Sequence, residues 1–97
     1  MKREIKNLVY NSIEATKLIG PEDLADIQIE ISRTKNPDNG QYSCNIAMHL
    51  SKKLRLNAVD LAHQIANNIN NQKGIEKILV APPGFINFYI SEGVKVE

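Results

Sequence analysis

Apolar residues first recur at helical spacing: Ile5, Leu8, Val9 and Ile13, then Thr16 and Ile19. This pattern predicts an amphipathic helix, which the Gly20-Pro21 pair is expected to stop. Leu24 and Ala25 fall in a short connector of about one helical turn. Ile27-Gln28-Ile29-Glu30-Ile31 alternates strictly and predicts a half-buried strand. Arg33 to Gly40, with Asn36-Pro37-Asp38-Asn39-Gly40 inside it, is a long polar loop. Helical spacing returns at Ile46, Ala47, Leu50 and Leu54 and breaks at Arg55-Leu56-Asn57. Asn57 suits an N-cap, with Asp60 placed where a carboxylate meets the positive end of the helix dipole. Ala58, Leu61, Ala62, Ile65, Ala66 and Ile69 form the stripe of the next helix, expected to end within Asn70 to Gly74. Ile75 to Val80 then predicts a strand, a Pro82-Pro83-Gly84 turn follows, and a last strand runs on to Ser91. The order α-β-α-α-β-β predicts an α+β domain. Its sheet is small, mostly antiparallel, of three to four strands, and covered on one face by helices.

The last strand is the most unusual. Three of the chain's five aromatics, Phe85, Phe88 and Tyr89, fall within it. Strand alternation sorts Ile86, Phe88 and Ile90 onto one face and Phe85, Asn87 and Tyr89 onto the other. The first set is core. The second places two rings around an amide. If that face is open, Phe85 can stack on an unpaired base while Asn87 reads its edge, as in proteins that bind single-stranded RNA. If helices cover that face as well, Phe85 is core. The pattern alone leaves the two readings equal.

Composition narrows the function classes. Ninety-seven residues, 42% hydrophobic and 24% charged, make one ordinary domain. A net charge of +1 gives no bulk attraction to nucleic acid, so phosphate binding requires local patches. Lys52, Lys53 and Arg55 at one helix end, and Arg33 and Lys35 in the long loop, are the candidates, with Lys2, Arg3 and Lys6 on the first helix. The single cysteine, Cys44, rules out an intrachain disulfide and fits a reducing compartment. It reads as a small buried residue. No apolar run approaches a membrane span and no signal-peptide block opens the chain, so a cytoplasmic location is expected. His49 and His63 share no metal or nucleophile spacing, and no Gly-rich phosphate loop occurs. No catalytic, cofactor or metal site is expected.

Gly84-Phe85-Ile86-Asn87-Phe88, with Ala81 and Pro83 before it and Ile90-Ser91 after it, resembles the Gly-Pro-Gly-Phe-Ile-Asn-Phe segment of the N-terminal domain of arginyl-tRNA synthetases. Gly40-Gln41-Tyr42-Ser43-Cys44-Asn45 and the helix after it are similar to that family's Gly-Asp-Tyr-(small)-(small)-Asn motif. The Ala58 to Ile69 helix matches as well, so the resemblance covers essentially the whole chain. It implies a non-catalytic α+β module, residues 1–91, which contacts the D-loop at the outer corner of arginine tRNA. Residues 92–97 would begin a linker to an absent catalytic domain that uses ATP and magnesium. By the same resemblance Phe85 and Asn87 are the base contacts. Tyr89 is added from strand alternation. Tyr42 and Asn45 are assigned to the turn into the helix and to packing beneath the loop. Two departures stand out. Gln41 replaces the usual Asp, with loss of any capping role expected, and Pro82 replaces a Gly, which stiffens the turn.

The competing class is a protein-interaction or scaffold domain whose aromatic strand face packs on a neighbouring domain, since protein interfaces share this enrichment. A free-standing enzyme would need a convergent polar cleft that the sequence does not supply.

Overall fold

The computed structural model describes residues 1–69 and 74–94. The predicted α+β architecture is present. Helix α1 (Lys2–Thr16) buries Ile5, Val9, Ser12 and Ile13. It ends sooner than Gly20-Pro21: Lys17 adopts left-handed backbone (φ 56°) and its N–H turns back to the Glu14 carbonyl. Pro21 instead begins a second helix, α2 (Pro21–Ala25), where a missing N–H costs nothing. That short helix is the predicted connector, and it buries Leu24.

Four strands form one antiparallel sheet in the order β1-β2-β4-β3. β1 (Ile31–Arg33) is shorter than the alternation suggested and starts where the predicted strand was to finish. Burial still alternates from Ile29 to Ile31, with Ile29 and Ile31 inside and Glu30 outside. The ladder is missing because the partner strand, β2 (Tyr42–Cys44), ends where helix α3 (Ile46–Leu54) begins. β2 is the strand that periodicity did not reveal, since three residues are too few to display a period. Helix α4 (Ala58–Asn67) follows, capped as expected by the Asn57 side chain, which accepts from the Asp60 N–H at 3.0 Å. Asn70 lies outside the described residues, as do Lys95, Val96 and Glu97. β3 (Ile75–Ala81) and β4 (Phe85–Ile90) form the predicted hairpin, and the Pro82–Pro83 peptide in its turn is cis. Beyond β4, Val94 packs against the core.

Register explains the two faces. Ile31, Cys44, Ile86 and Val80 lie in one cross-strand row, on the face that α1, α3 and α4 cover. Ser32, Ser43, Asn87 and Leu79 lie in the adjacent row, on the face without helices. Tyr42 and Phe88 are wholly buried in the core. Burial also pushes the Cys44 thiol up to about 11, partly opposed by its hydrogen bond with the Ile46 backbone. It is therefore a protonated core side chain.

Glycines from the two motifs seat the loops on this frame. Gly40 (φ +80°) lies against β4 so closely that a Cβ there would stand 2.5 Å from the Phe88 carbonyl oxygen. Gly84 lies under the helices, where a Cβ would meet Met48 Cγ at 2.9 Å and Ala58 Cβ at 3.0 Å. At position 41, just past the N-terminal end of the β2–β4 ladder, Gln41 Oε1 accepts from the Ile90 N–H at 2.7 Å, and Ile90 pairs with Ile75 of β3 on its other side.

Candidate nucleic-acid interface

β4 presents Phe85, Asn87 and Tyr89 outward on the face that no helix covers, and the structure treats each differently. Phe85, at the start of the strand, is 37% exposed. The reading in which it is core is thereby excluded. Asn87, two residues on, is only 5% exposed. β2 and β3 flank it, and Ser43, its direct partner on β2, donates its hydroxyl to Asn87 Oδ1 at 2.9 Å. Asn87 Nδ2 has no hydrogen-bond partner among the described residues, and it is not a sealed, unpartnered atom.

Tyr89 is engaged elsewhere. Its hydroxyl donates to the Asp38 carbonyl at 2.6 Å, and the Lys77 ammonium sits 4.6 Å from its ring centroid. It braces the long loop and does not line the depression that holds Phe85 and Asn87.

The long loop belongs to the site. It contains a single 3-10 turn, Pro37–Asn39, opened by Asn36, whose side chain accepts from the Asp38 N–H. Thr34 donates its hydroxyl to the Gly40 carbonyl and closes the base of the loop. Gly40 and Tyr89 then hold it over one end of the open face. At the other end a shallow depression of about 330 Å³ remains. Phe85, Asn87 and Ser43 line it from the sheet, Pro82 from the turn, and Lys35 and Asn39 from the loop. An aromatic ring, an amide with a free donor and an ammonium group thus converge within a space suited to one planar ring. Serine at 43 was the residue sequence reasoning missed. Only the cross-strand register brings it beside Asn87.

The other basic residues are not in the depression. Arg33 shares a face with Tyr42 and places its guanidinium 5.6 Å from that ring's centroid. Lys53 pairs with Asp23 of α2 at 2.9 Å, both side chains about half exposed. Such a pair contributes little to stability. Arg55 ends α3 in left-handed backbone (φ 57°). Lys52 is one turn beyond Met48 on the same face of α3, and Met48 packs beside Gly84 at the base of the turn. Asn45 is exposed at the N-cap position of α3, at the turn into that helix but without a side-chain cap bond, and Tyr42 is wholly buried in the core on the helix-covered face.

A larger groove of about 670 Å³ runs between α1, α3 and residues 26–30. Its lining combines Lys6 and Lys53 with Asp26 and Glu30, and it contains no Phe, Tyr or Trp. Its charges cancel, so it offers phosphate no net attraction. His49 lies at its edge and His63 is exposed on α4. No group of three metal-binding side chains occurs among the described residues. No described helix is long and apolar enough to cross a membrane.

A family model for the arginyl tRNA synthetase N terminal domain matches residues 3–90. The arginine–tRNA ligase of Shewanella piezotolerans is 36% identical over 94 residues, which is 95% of this chain and 16% of that protein. That of Staphylococcus carnosus is 37% identical over 92 residues, 94% of this chain and 16% of its own. Among solved structures, arginyl-tRNA synthetase from Plasmodium falciparum superposes with a TM-score of 0.73 at 30% identity, over 94% of this chain and 16% of that one. The Thermus thermophilus enzyme gives 0.76 at 15% identity, over 94% and 14%, a likeness of fold. The chain therefore spans 16% of the length of these two curated relatives.

Proposed function

Because the chain belongs to the family of arginyl-tRNA synthetase N-terminal domains, we propose that it binds arginine tRNA and contacts an unpaired base of the D-loop. The observation that carries this reading is the convergence of Phe85, Asn87 and Lys35 in one depression on the open sheet face. Phe85 stacks on the base, Nδ2 of Asn87 donates to its edge, and Lys35 meets the adjoining phosphate. A ring half in solvent loses little on being covered, and stacking returns about 1–3 kcal/mol per base. Lys52, exposed on α3 outside the depression, supplies a second phosphate contact. The remainder of a synthetase chain would carry out ATP- and magnesium-dependent arginylation, with this domain supporting it by holding the outer corner of the tRNA.

Titration of the 15N-labelled domain with an arginine-tRNA D-arm hairpin tests the reading. Shifts concentrated at Phe85, Asn87, Ser43 and Lys35, weakening as salt rises, are expected. Shifts that bypass β4 favour the scaffold reading, in which Phe85 and the neighbouring Leu79, 46% exposed, meet a protein surface.

A further inference from the structure

We propose that Tyr89 is a positioning residue for RNA binding: its hydroxyl latches the tip of the 34–40 loop to the sheet, and the latch keeps Lys35 and Asn39 on the depression. The inference rests on the RNA-binding reading above and adds the group through which β4 controls the loop side of that site.

The tip is a small, internally bonded unit. The Asn36 side chain accepts from the Asp38 N–H at 3.0 Å, the Asn36 carbonyl accepts from the Asn39 N–H at 2.9 Å, and the Pro37 carbonyl accepts from the Gly40 N–H at 3.0 Å. Pro37 adds a fixed φ. These bonds close within five residues, so they set the shape of the tip but not its place over the sheet. The base of the loop is anchored separately. The Thr34 N–H donates to the Gln41 carbonyl at 3.1 Å, and the Gln41 N–H donates to the Phe88 carbonyl at 3.0 Å. Among the described residues, the hydrogen bond that ties residues 36–39 to the sheet is the one that the Asp38 carbonyl accepts from the Tyr89 hydroxyl at 2.6 Å.

Tyr89 suits this task because its ring is held on several sides. Strand β4 fixes its backbone. Gly40 lies so near that an added Cβ would stand 3.3 Å from Tyr89 Cδ1. Lys77, directly opposite on β3, places its ammonium 4.6 Å from the ring centroid, within cation–π range. The same strand carries Phe85 and Asn87. β4 therefore supplies the ring and one amide of the depression directly, and holds Lys35 and Asn39 there through the loop. With the tip tilted away, the depression keeps its floor and loses its ammonium and its second amide. One hydrogen bond shifts the ratio of latched to tilted tip by about two- to tenfold. RNA affinity follows the latched fraction, so that ratio bounds the loss.

The test measures D-arm hairpin binding by the 97-residue protein and its variants. Tyr89→Phe removes the hydroxyl and keeps the ring under Lys77, so its Tm should stay near that of the wild type. Its affinity should fall by about twofold or more, and by no more than about tenfold. In the Lys35→Ala, Asn39→Ala double variant, adding Tyr89→Phe should weaken binding no further, because the latch then holds nothing that touches RNA. A merely structural role would lower Tm, and its effect on binding would add in full to that of the double variant. In the RNA-free protein, the amide resonances of residues 36–39 should move in Tyr89→Phe while that of Phe85 stays in place. Wild-type affinity in Tyr89→Phe, or a loss that adds in full to that of the double variant, overturns the positioning role and leaves the RNA-binding reading standing. If the wild type does not bind the hairpin, or if neither Phe85→Ala nor Asn87→Ala weakens binding, the RNA-binding reading fails and this inference with it.

Discussion

Gly40→Ala is the sharpest perturbation of the loop that frames the depression. Gly40 holds φ +80°, a conformation that costs an L-residue about 1–2 kcal/mol. The added Cβ would also lie 2.5 Å from the Phe88 carbonyl oxygen, 2.9 Å from its carbon and 3.3 Å from Tyr89 Cδ1. Two of those atoms are backbone of the central strand and cannot rotate away. The loop must lift instead. Lifting it strains the Gln41 N–H to Phe88 carbonyl bond at 3.0 Å and the Tyr89 hydroxyl to Asp38 carbonyl bond at 2.6 Å, each worth about 0.5–1.5 kcal/mol net. The expected loss is about 2–5 kcal/mol. That is a large share of the roughly 5–15 kcal/mol that stabilises a domain of this kind. At about 4–8 °C per kcal/mol, the melting temperature should fall by upward of about 8 °C. Gly93→Ala is the control, because Gly93 has a similar φ of +89° but no atom within 4 Å of the added Cβ. It should lose only the conformational part, about 1–2 kcal/mol. Urea unfolding of the two variants beside the wild type measures both. If Gly40→Ala costs no more than Gly93→Ala, the close seating of the loop on β4 is refuted, and with it the framing of the depression by Lys35 and Asn39.

Alternate aromatics of one strand should give opposite results. Phe88→Ala should cost about 3–5 kcal/mol in chemical denaturation, whereas Phe85→Ala should unfold near the wild-type midpoint yet weaken D-arm binding by about 1–3 kcal/mol in fluorescence anisotropy. Lys35→Ala should weaken all hairpins alike and lower the slope of log affinity against log salt by somewhat less than one. Cys44 should be unreactive toward thiol reagents in the native protein at pH 8, because its thiol is raised from the ordinary 9.0 to about 11. Between those values the unfolded chain releases the proton and the folded one keeps it. Stability should therefore fall as pH rises, by about 1.4 kcal/mol per pH unit and at most about 2.7 kcal/mol, relative to Cys44→Ala measured in parallel.

Much of the frame was legible because it depends on local period. The stripes of α1, α3 and α4 follow from residues three and four apart, and the two faces of β4 follow from alternation. Asn57 capping Asp60 needed only three residues of context. Helix ends were less legible: Lys17 stopped α1 by entering left-handed backbone, a choice that Gly20-Pro21 concealed. The Ile27–Ile31 alternation reported burial correctly but not pairing, because pairing requires a partner and β2 is short.

By itself, then, the sequence determined which residues alternate on the last strand, which turn precedes it, and that Ile86, Phe88 and Ile90 must be buried. Such patterns are fixed by backbone geometry within a few residues. Tertiary structure alone decided that the second face stays open at Phe85, that the loop closes over Tyr89, and that Lys35 reaches the same depression. It also set Ser43 against Asn87, 44 residues away along the chain. Those outcomes depend on strand order and register, which bring distant segments within hydrogen-bond reach and which no local period encodes.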